Sequence, residues 1–479
     1  MLLNSDAFLI NQDTIELMRN RVFELLEKRG VKMSHPEVTK LLAKAGAKVD
    51  SDAQIVRFPR AFLEEMIRLA PERFIIGAKN KDNQLEMPCK GDTFYVRTGT
   101  GAQSYLEPNT GIFRKVTISD VSTLASLTNK LDQVDILSTP TPSDVPPQSA
   151  DVHAIKTVLQ NTHKNVWIQP YSQKSVEYLI KLAIVASEGE EAMRSNPVAS
   201  IIACALTPME FKAMDLEVIL QASNYGIPIF ACSLPSAGGT APITMPGVIL
   251  LSAVEILAMH VTAQTVKPGT PVIATPLFYS MDMATGRSMQ SSAEAIQGGA
   301  VAAKFIKAAF NIPTNATGSG CDSPDIDGQC MIERTLHTLL VALSGTDILG
   351  NAGNIEVATT ISPVQLVIDN ELAGMVRRIV SEMTFDDEAM AWKDLLDIKP
   401  GEQFLSSDHT YRHCRDAFKP QAFIRQERET WKNLGSKDLV ARATELLQSL
   451  LKQVNAPEMS EDMIKEMDSI VKTADSHIL

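Results

Sequence analysis

Apolar residues fall in a helical rhythm at the start of the chain. Between Thr14 and Arg29 they stand at Ile15, Met18, Val22, Leu25 and Leu26, one face of a helix, and Gly30 suits its end. Residues 36–45 and 59–69 repeat the pattern, and short strands are expected near 74–76 and 94–96. From Ala102 the rhythm changes. Short apolar runs at 102–106, 134–138, 166–169, 199–204, 228–233, 271–275, 314–317 and 348–351 alternate with amphipathic stretches. Those stretches begin near Ser119, Ser149, Gln173, Glu210, Met245, Ser288, Asp327 and Ser362. Eight strand–helix units predict a parallel sheet with crossover helices, and eight closes a (β/α)8 TIM barrel, an α/β fold. A doubly wound open sheet is the competing reading. After about Asp386 the alternation stops, and helices are expected over 439–451 and 463–471. The chain should therefore divide into an N-terminal helical and mixed region (1–100), a barrel (101–385) and a C-terminal helical appendage (386–479).

Several runs exit into small, polar or aromatic residues: Ser138-Thr-Pro-Thr-Pro142, Gln169-Pro-Tyr171, Thr275-Pro-Leu-Phe-Tyr279, Thr317-Gly-Ser-Gly-Cys-Asp-Ser323 and Asn351-Ala-Gly-Asn354. Barrel active sites are built from such loops, so the loop Thr317–Ser323 is expected at the centre of the site. Composition narrows the classes. The net charge of −12 lacks the basic footprint of a nucleic-acid binder and suits an anionic membrane surface poorly. No stretch of about 18 uninterrupted apolar residues predicts a membrane span. Met1-Leu-Leu-Asn-Ser-Asp6 has no signal-peptide character, and the six cysteines form no CxxC. Both features point to a cytoplasmic protein.

The chemical motifs are sparse. Ser323-Pro-Asp-Ile-Asp-Gly-Gln329 resembles a calcium loop, but Arg334 occupies the twelfth position, where a bidentate Glu is needed. Ser323 or Asp325 is expected instead to cap the following helix. Asp151-Val-His-Ala-Ile-Lys156 approaches the DxHxxG signature of corrinoid-binding domains, but Lys156 replaces its glycine. His153 then reads as a helix residue, and any corrinoid would sit on another protein. His260 and His337 lie in apolar helices and read as structural. His409-Thr-Tyr-Arg-His413 places two imidazoles at i and i+4, without the acid of an HExxH motif, and no metal is expected. Aromatic residues make up only 5% of the chain, so their positions matter. Trp167 and Tyr171 bracket the third barrel strand, Phe278 and Tyr279 follow the sixth, and Tyr95 precedes the first. Such rings can box a quaternary ammonium by cation–π attraction.

Together these features resemble the trimethylamine methyltransferase superfamily. The carriers are Ser233-Leu-Pro-Ser-Ala-Gly-Gly-Thr-Ala-Pro-Ile-Thr244, the segment Asp322 to Asp327-Gly-Gln329, His409-Thr-Tyr-Arg-His413, Leu26-Glu-Lys-Arg-Gly-Val31 and Val56-Arg-Phe-Pro59. Founding members carry pyrrolysine near the loop after strand seven. Here Ser319–Ser323 holds only standard residues. The chain is similar to the pyrrolysine-lacking branch, which demethylates glycine betaine, proline betaine or carnitine and passes the methyl group to Co(I) of a separate corrinoid protein. The resemblance implies no cofactor bound by this chain, a corrinoid (cobalamin) on a cognate partner protein, and no catalytic acid or base. It offers Tyr95, Trp167, Tyr171, Phe278 and Tyr279 for an ammonium box. Gln329, Asn351 and Asn354 are offered for polar or carboxylate contacts, and Asp322 or Glu356 for charge balance. A folate-type acceptor and a non-catalytic betaine-binding protein are the alternatives. A homo-oligomer is compatible with all three.

Overall fold

A computed structural model describes residues 9–91, 93–454 and 456–478. The start Met1–Asp6 lies outside them. Eight parallel strands carry the architecture: β1 (Tyr95–Thr98), β2 (Ile136–Leu137), β3 (Asn165–Ile168), β4 (Ala199–Cys204), β5 (Ile229–Ser233), β6 (Val272–Pro276), β7 (Asn315–Thr317) and β8 (Ile348–Ala352). Each hydrogen-bonds its sequence neighbour except β6 and β7, and β8 pairs with β1. A parallel bridge between Ala274 and Thr314 closes the ring, with the Ala274 amide donating to Pro313 O at 2.8 Å. The barrel is thus closed, and the open-sheet reading falls away. Eight helices follow the strands: α1 (Ile118–Thr128), α2 (Ala150–Asn161), α3 (Gln173–Ala186), α4 (Ala213–Tyr225), α5 (Met245–Val266), α6 (Ala293–Phe310), α7 (Gly328–Leu343) and α8 (Pro363–Val380).

The first barrel strand corrects the expectation. The run at 102–106 was assigned to it, but Tyr95–Thr98 fills the place. Gly101, in a left-handed turn (φ +71°), follows β1. Ser104–Leu106 then pairs with Phe113–Lys115 and Thr360–Ile361 in a small separate sheet. The short strand expected near 94–96 is this first barrel strand, running on through Arg97 to Thr98.

Helix α5 is apolar all round, and its surroundings explain why. The N-terminal helices Gln12–Lys28, Pro36–Ala45 and Arg60–Arg68 pack on it from outside the barrel. Among the described residues it is the one helix long and apolar enough to cross a membrane, and 78% of its most apolar window is buried within the protein. At the C-terminus, helix Leu439–Leu451 packs on α8 and α1, and Glu461–Ile478 on α2 and α3. His153 in α2 anchors the latter through Asp475 at 3.0 Å. His260 in α5 and His337 in α7 are buried, as expected of structural residues.

Inside the barrel, Ile136, Trp167, Ile202, Phe230, Cys232, Ile273 and Ile348 form a core distinct from that between sheet and helices. Its lower end is plugged by the antiparallel hairpin Phe74–Ile76/Leu85–Met87, whose Ile76, Leu85 and Met87 join the same core.

Candidate functional site

The strands' C-terminal ends, opposite the plug, carry the polar loops. Arg97 is the central group there. Its side chain is completely buried within the lumen, with its guanidinium carbon 4.3 Å from the Trp167 ring centroid. Nη1 donates to Thr98 O (2.9 Å) and Ser138 Oγ (3.2 Å). Among the described residues Nε and Nη2 have no partner, although both are buried. Gly350 on β8 makes room: a Cβ there would lie 2.5 Å from Nη2. Burial lowers the Arg97 pKa to about 10, with Cys232 and Tyr279 pulling the other way. The group stays charged at neutral pH without a carboxylate beside it.

Other orphaned polar atoms share this end of the barrel. Asn315 on β7 leaves both amide atoms unpartnered, as do Thr317 Oγ1, Trp167 Nε1 and Gln290 Oε1. The alternation of β7 explains its share: Ala316 packs against the helices, so Asn315 and Thr317 face inward. A buried polar atom without a partner costs about 1–3 kcal/mol. Several such atoms in one lumen make it the candidate site for a polar ligand.

The predicted site residues divide. Tyr279 belongs to the mouth: its hydroxyl accepts from Gln290 Nε2 at 3.3 Å, and burial pushes its pKa up to about 12. Tyr171 lies at the end of β3, where its hydroxyl shares a hydrogen bond with Thr141 (2.6 Å). Trp167 lies in the lumen, but Arg97 covers its face and Phe230 meets it edge-on at 5.9 Å. Asp322 accepts from the backbone amides of Gln290 (2.7 Å) and Ser291 (3.1 Å), tying two mouth loops together. Desolvation raises its pKa. Asn351 is buried at the β8 exit with φ +77°, where the β1–β8 register shifts. Asn354 is buried against Gly99, and its Oδ1 is unpartnered.

Four expectations fare differently. Tyr95 sits at the opposite end of β1, where its hydroxyl donates to Glu86 O of the plug at 3.3 Å. Phe278 turns outward into the core between sheet and helices. Gln329 is exposed on the first turn of α7 and donates to Glu333 at 2.8 Å. Glu356 opens a run of three left-handed residues, Glu356, Val357 and Ala358, and its carboxylate is taken by the Thr360 hydroxyl (2.9 Å). The cap of α7 also shifts: Asp327 accepts from the Cys330 amide at 2.8 Å, while Ser323 supports it from behind.

The loop Thr317–Ser323 is held from outside the lumen. Arg334 of α7 and Asp369 of α8 form a wholly buried ion pair at 2.6 Å. Arg334 also donates to Ser319 O, and Asp369 accepts from the Gly353 amide at 2.7 Å. One pair thus fixes the exits of both β7 and β8. Sequence reading missed Arg97, Asn315, Gln290 and this brace. The available signal for Arg97 was a charged residue at an alternating position between Phe94, Val96 and Thr98.

The profile of the family described as "Trimethylamine methyltransferase (MTTB)" matches residues 4–478. Trimethylamine methyltransferase MttB of Desulfitobacterium hafniense is 29% identical over 465 residues, covering 96% of this chain and 93% of that protein. Glycine betaine methyltransferase of Desulfitobacterium hafniense is 25% identical over 430 residues, covering 88% of each. The crystal structure of the Methanosarcina barkeri monomethylamine methyltransferase MtmB superposes with a TM-score of 0.55 at 13% identity, covering 94% of this chain and 88% of that one. That likeness bears on the fold.

Proposed function

The chain belongs to the trimethylamine methyltransferase family, and on that premise we propose that its methyl donor is a quaternary amine carrying a carboxylate, such as glycine betaine, proline betaine or carnitine. The acceptor in this reading is Co(I) of a separate corrinoid protein. Arg97 carries the proposal. Its two orphaned nitrogens form a fork, and a carboxylate satisfies such a fork with two charge-assisted bonds. Trimethylamine has no group to meet it, and protonated trimethylamine would face a fixed cation.

Tyr279 and Tyr171 flank the ammonium in this arrangement, and Asp322 supplies the nearby negative charge. The ammonium box is then smaller than the five rings expected, because Trp167 serves Arg97, Tyr95 sits at the plug end and Phe278 turns outward. Asn315, Thr317, Asn351 and Asn354 offer further polar contacts. Reduced cobalt supplies the nucleophile. The C–N bond breaks, the electron pair stays on nitrogen, and a neutral tertiary amine leaves without a proton transfer. What remains for the protein is to hold the cation, anchor the anion and aim one methyl outward, which is catalysis by positioning. Relatives that are themselves named methyltransferases weigh against a purely binding role.

The test mixes the purified protein with reduced corrinoid protein and a panel of amines. Carboxylate-bearing quaternary amines should discharge the Co(I) absorption, and tetramethylammonium and trimethylamine should not. A silent panel, or equal rates with tetramethylammonium, would sink the reading. Tetrahydrofolate in place of the corrinoid protein separates the alternative acceptor.

A further inference from the structure

A second cluster lies far along the chain from the barrel mouth, in the appendage. The motif His409-Thr-Tyr-Arg-His413 lacks an acid in sequence, but the fold supplies one. Glu388, in the segment leaving α8, lies against helix Asp408–His413. One ring nitrogen from each imidazole and one Glu388 carboxylate oxygen fall within 4.8 Å of one another. The ring centroids of His409 and His413 are 4.4 Å apart. His413 Nε2 stands 3.3 Å from Glu388 Oε1. Two ligands bound about 2.0–2.1 Å from one tetrahedral zinc ion are separated by roughly that distance.

The surrounding bonds are those a metal-binding histidine has. His413 Nδ1 lies 2.6 Å from the Asp416 carboxylate, which fixes the ring and leaves Nε2 for an ion. His409 Nε2 lies 2.9 Å from the Glu388 carbonyl oxygen, so this imidazole too has an oxygen partner on one nitrogen. A carboxylate or carbonyl behind each ligating imidazole is the usual support of a zinc site. We infer that Glu388, His409 and His413 form a site for one divalent transition ion of the zinc type, with a water or an external ligand in the fourth position. The ion links the segment after α8 to helix Asp408–His413 and stands apart from the methyl-transfer reading. Arg412 shares Glu388 Oε1 at 2.8 Å and competes with the ion for that oxygen.

The experiment titrates the full chain, stripped with EDTA and dialysed, with ZnCl2 by calorimetry and by competition with a chromophoric chelator. One equivalent should bind. His409→Ala and His413→Ala should each weaken binding at least about 100-fold, and Asp416→Ala should weaken it about 10–100-fold. Arg412→Gln should tighten it. His409, Arg412, His413 and Asp416 are partly or fully exposed, so circular dichroism should show wild-type folds. Cys414→Ser should bind as the wild type does, and the Co2+-loaded protein should show a four-coordinate spectrum without a thiolate band. The inference is overturned by no stoichiometric binding, by wild-type binding in the His409→Ala/His413→Ala double variant, or by loss of binding in Cys414→Ser.

Discussion

Arg97 and Arg334 are both completely buried, and they are opposites. Arg334 stands outside the barrel wall with Asp369 at 2.6 Å and sulfur atoms of Cys330 and Cys321 at 3.3 and 3.7 Å. Desolvation opposes its charge, but Asp369 and the cysteines prevail and hold its pKa above the ordinary range. Arg97 stands inside the wall with no carboxylate and two idle nitrogens, and burial prevails. Two buried asparagines repeat the contrast. Asn165, near the plug, donates to Gly77 O (2.9 Å) and Pro197 O (3.0 Å) and accepts from Ser200 (2.8 Å). The side-chain amide of Asn315, nearer the mouth, has no partner among the described residues. At the plug end the fold satisfies the buried amide, while the idle groups at the mouth end are those the proposed ligand would meet. The structural His260 is also buried without a partner for either ring nitrogen among the described residues.

The comparison can be broken by experiment. Asp369→Leu leaves Arg334 unpaired and should destabilise the protein by about 3–5 kcal/mol, read by urea denaturation. A loss under about 1 kcal/mol would mean that the brace does little. Arg97→Met should do the reverse. Stability should hold or rise, because an unpaired buried cation is costly. Meanwhile kcat/KM for a carboxylate-bearing quaternary amine should fall by the roughly 2–5 kcal/mol expected for truncating a buried charge pair. An Arg97→Met protein that unfolds easily but keeps its KM would make Arg97 structural.

Histidine sharpens the point, because it can shed its charge. Desolvation lowers the pKa of His260 to about 4 and, with help from Arg334, that of His337 to about 3. Both lie below the unfolded value of about 6.5, so the unfolded chain binds more protons between the two. The stability these two histidines contribute should therefore be complete above about pH 6.5 and fall progressively as pH drops toward 4, while the raised pKa of buried Asp215, about 6, works in the opposite direction. His260→Leu should flatten that decline in denaturation midpoints taken from pH 7 to 5; an unchanged slope would clear His260 of the effect. The smallest effect belongs to Tyr279→Ala, which should cost about 0.5–2 kcal/mol of substrate binding, seen as a raised KM. Unchanged kinetics would remove Tyr279 from the ammonium side.

Much of the barrel was legible because short apolar runs alternate with amphipathic stretches, and seven of the eight expected runs overlap a barrel strand. β1 reads as a short strand near 94–96 but not as a barrel strand, because its lumen-facing Arg97 cuts the apolar run short. The aromatic box was harder to read. Phe278 and Tyr279 are adjacent at a strand exit, and neighbours on extended backbone point to opposite faces, so only one could reach the mouth. Tyr95 has the inward parity but the wrong height along β1. Gln329 follows the cap residue Asp327 by two positions, and that register on α7 faces solvent. Glu388 is 21 residues before His409, a separation that no local spacing rule joins.

Gly350 gives the receptor a genetic dimension. Its missing side chain is what admits the guanidinium, since a methyl group there would stand 2.5 Å from Nη2. Glycine and alanine codons differ by one base. A lineage could therefore close or open the proposed anion receptor in one mutational step without changing residue 97, and under that proposal donor preference could change faster than overall sequence divergence would suggest.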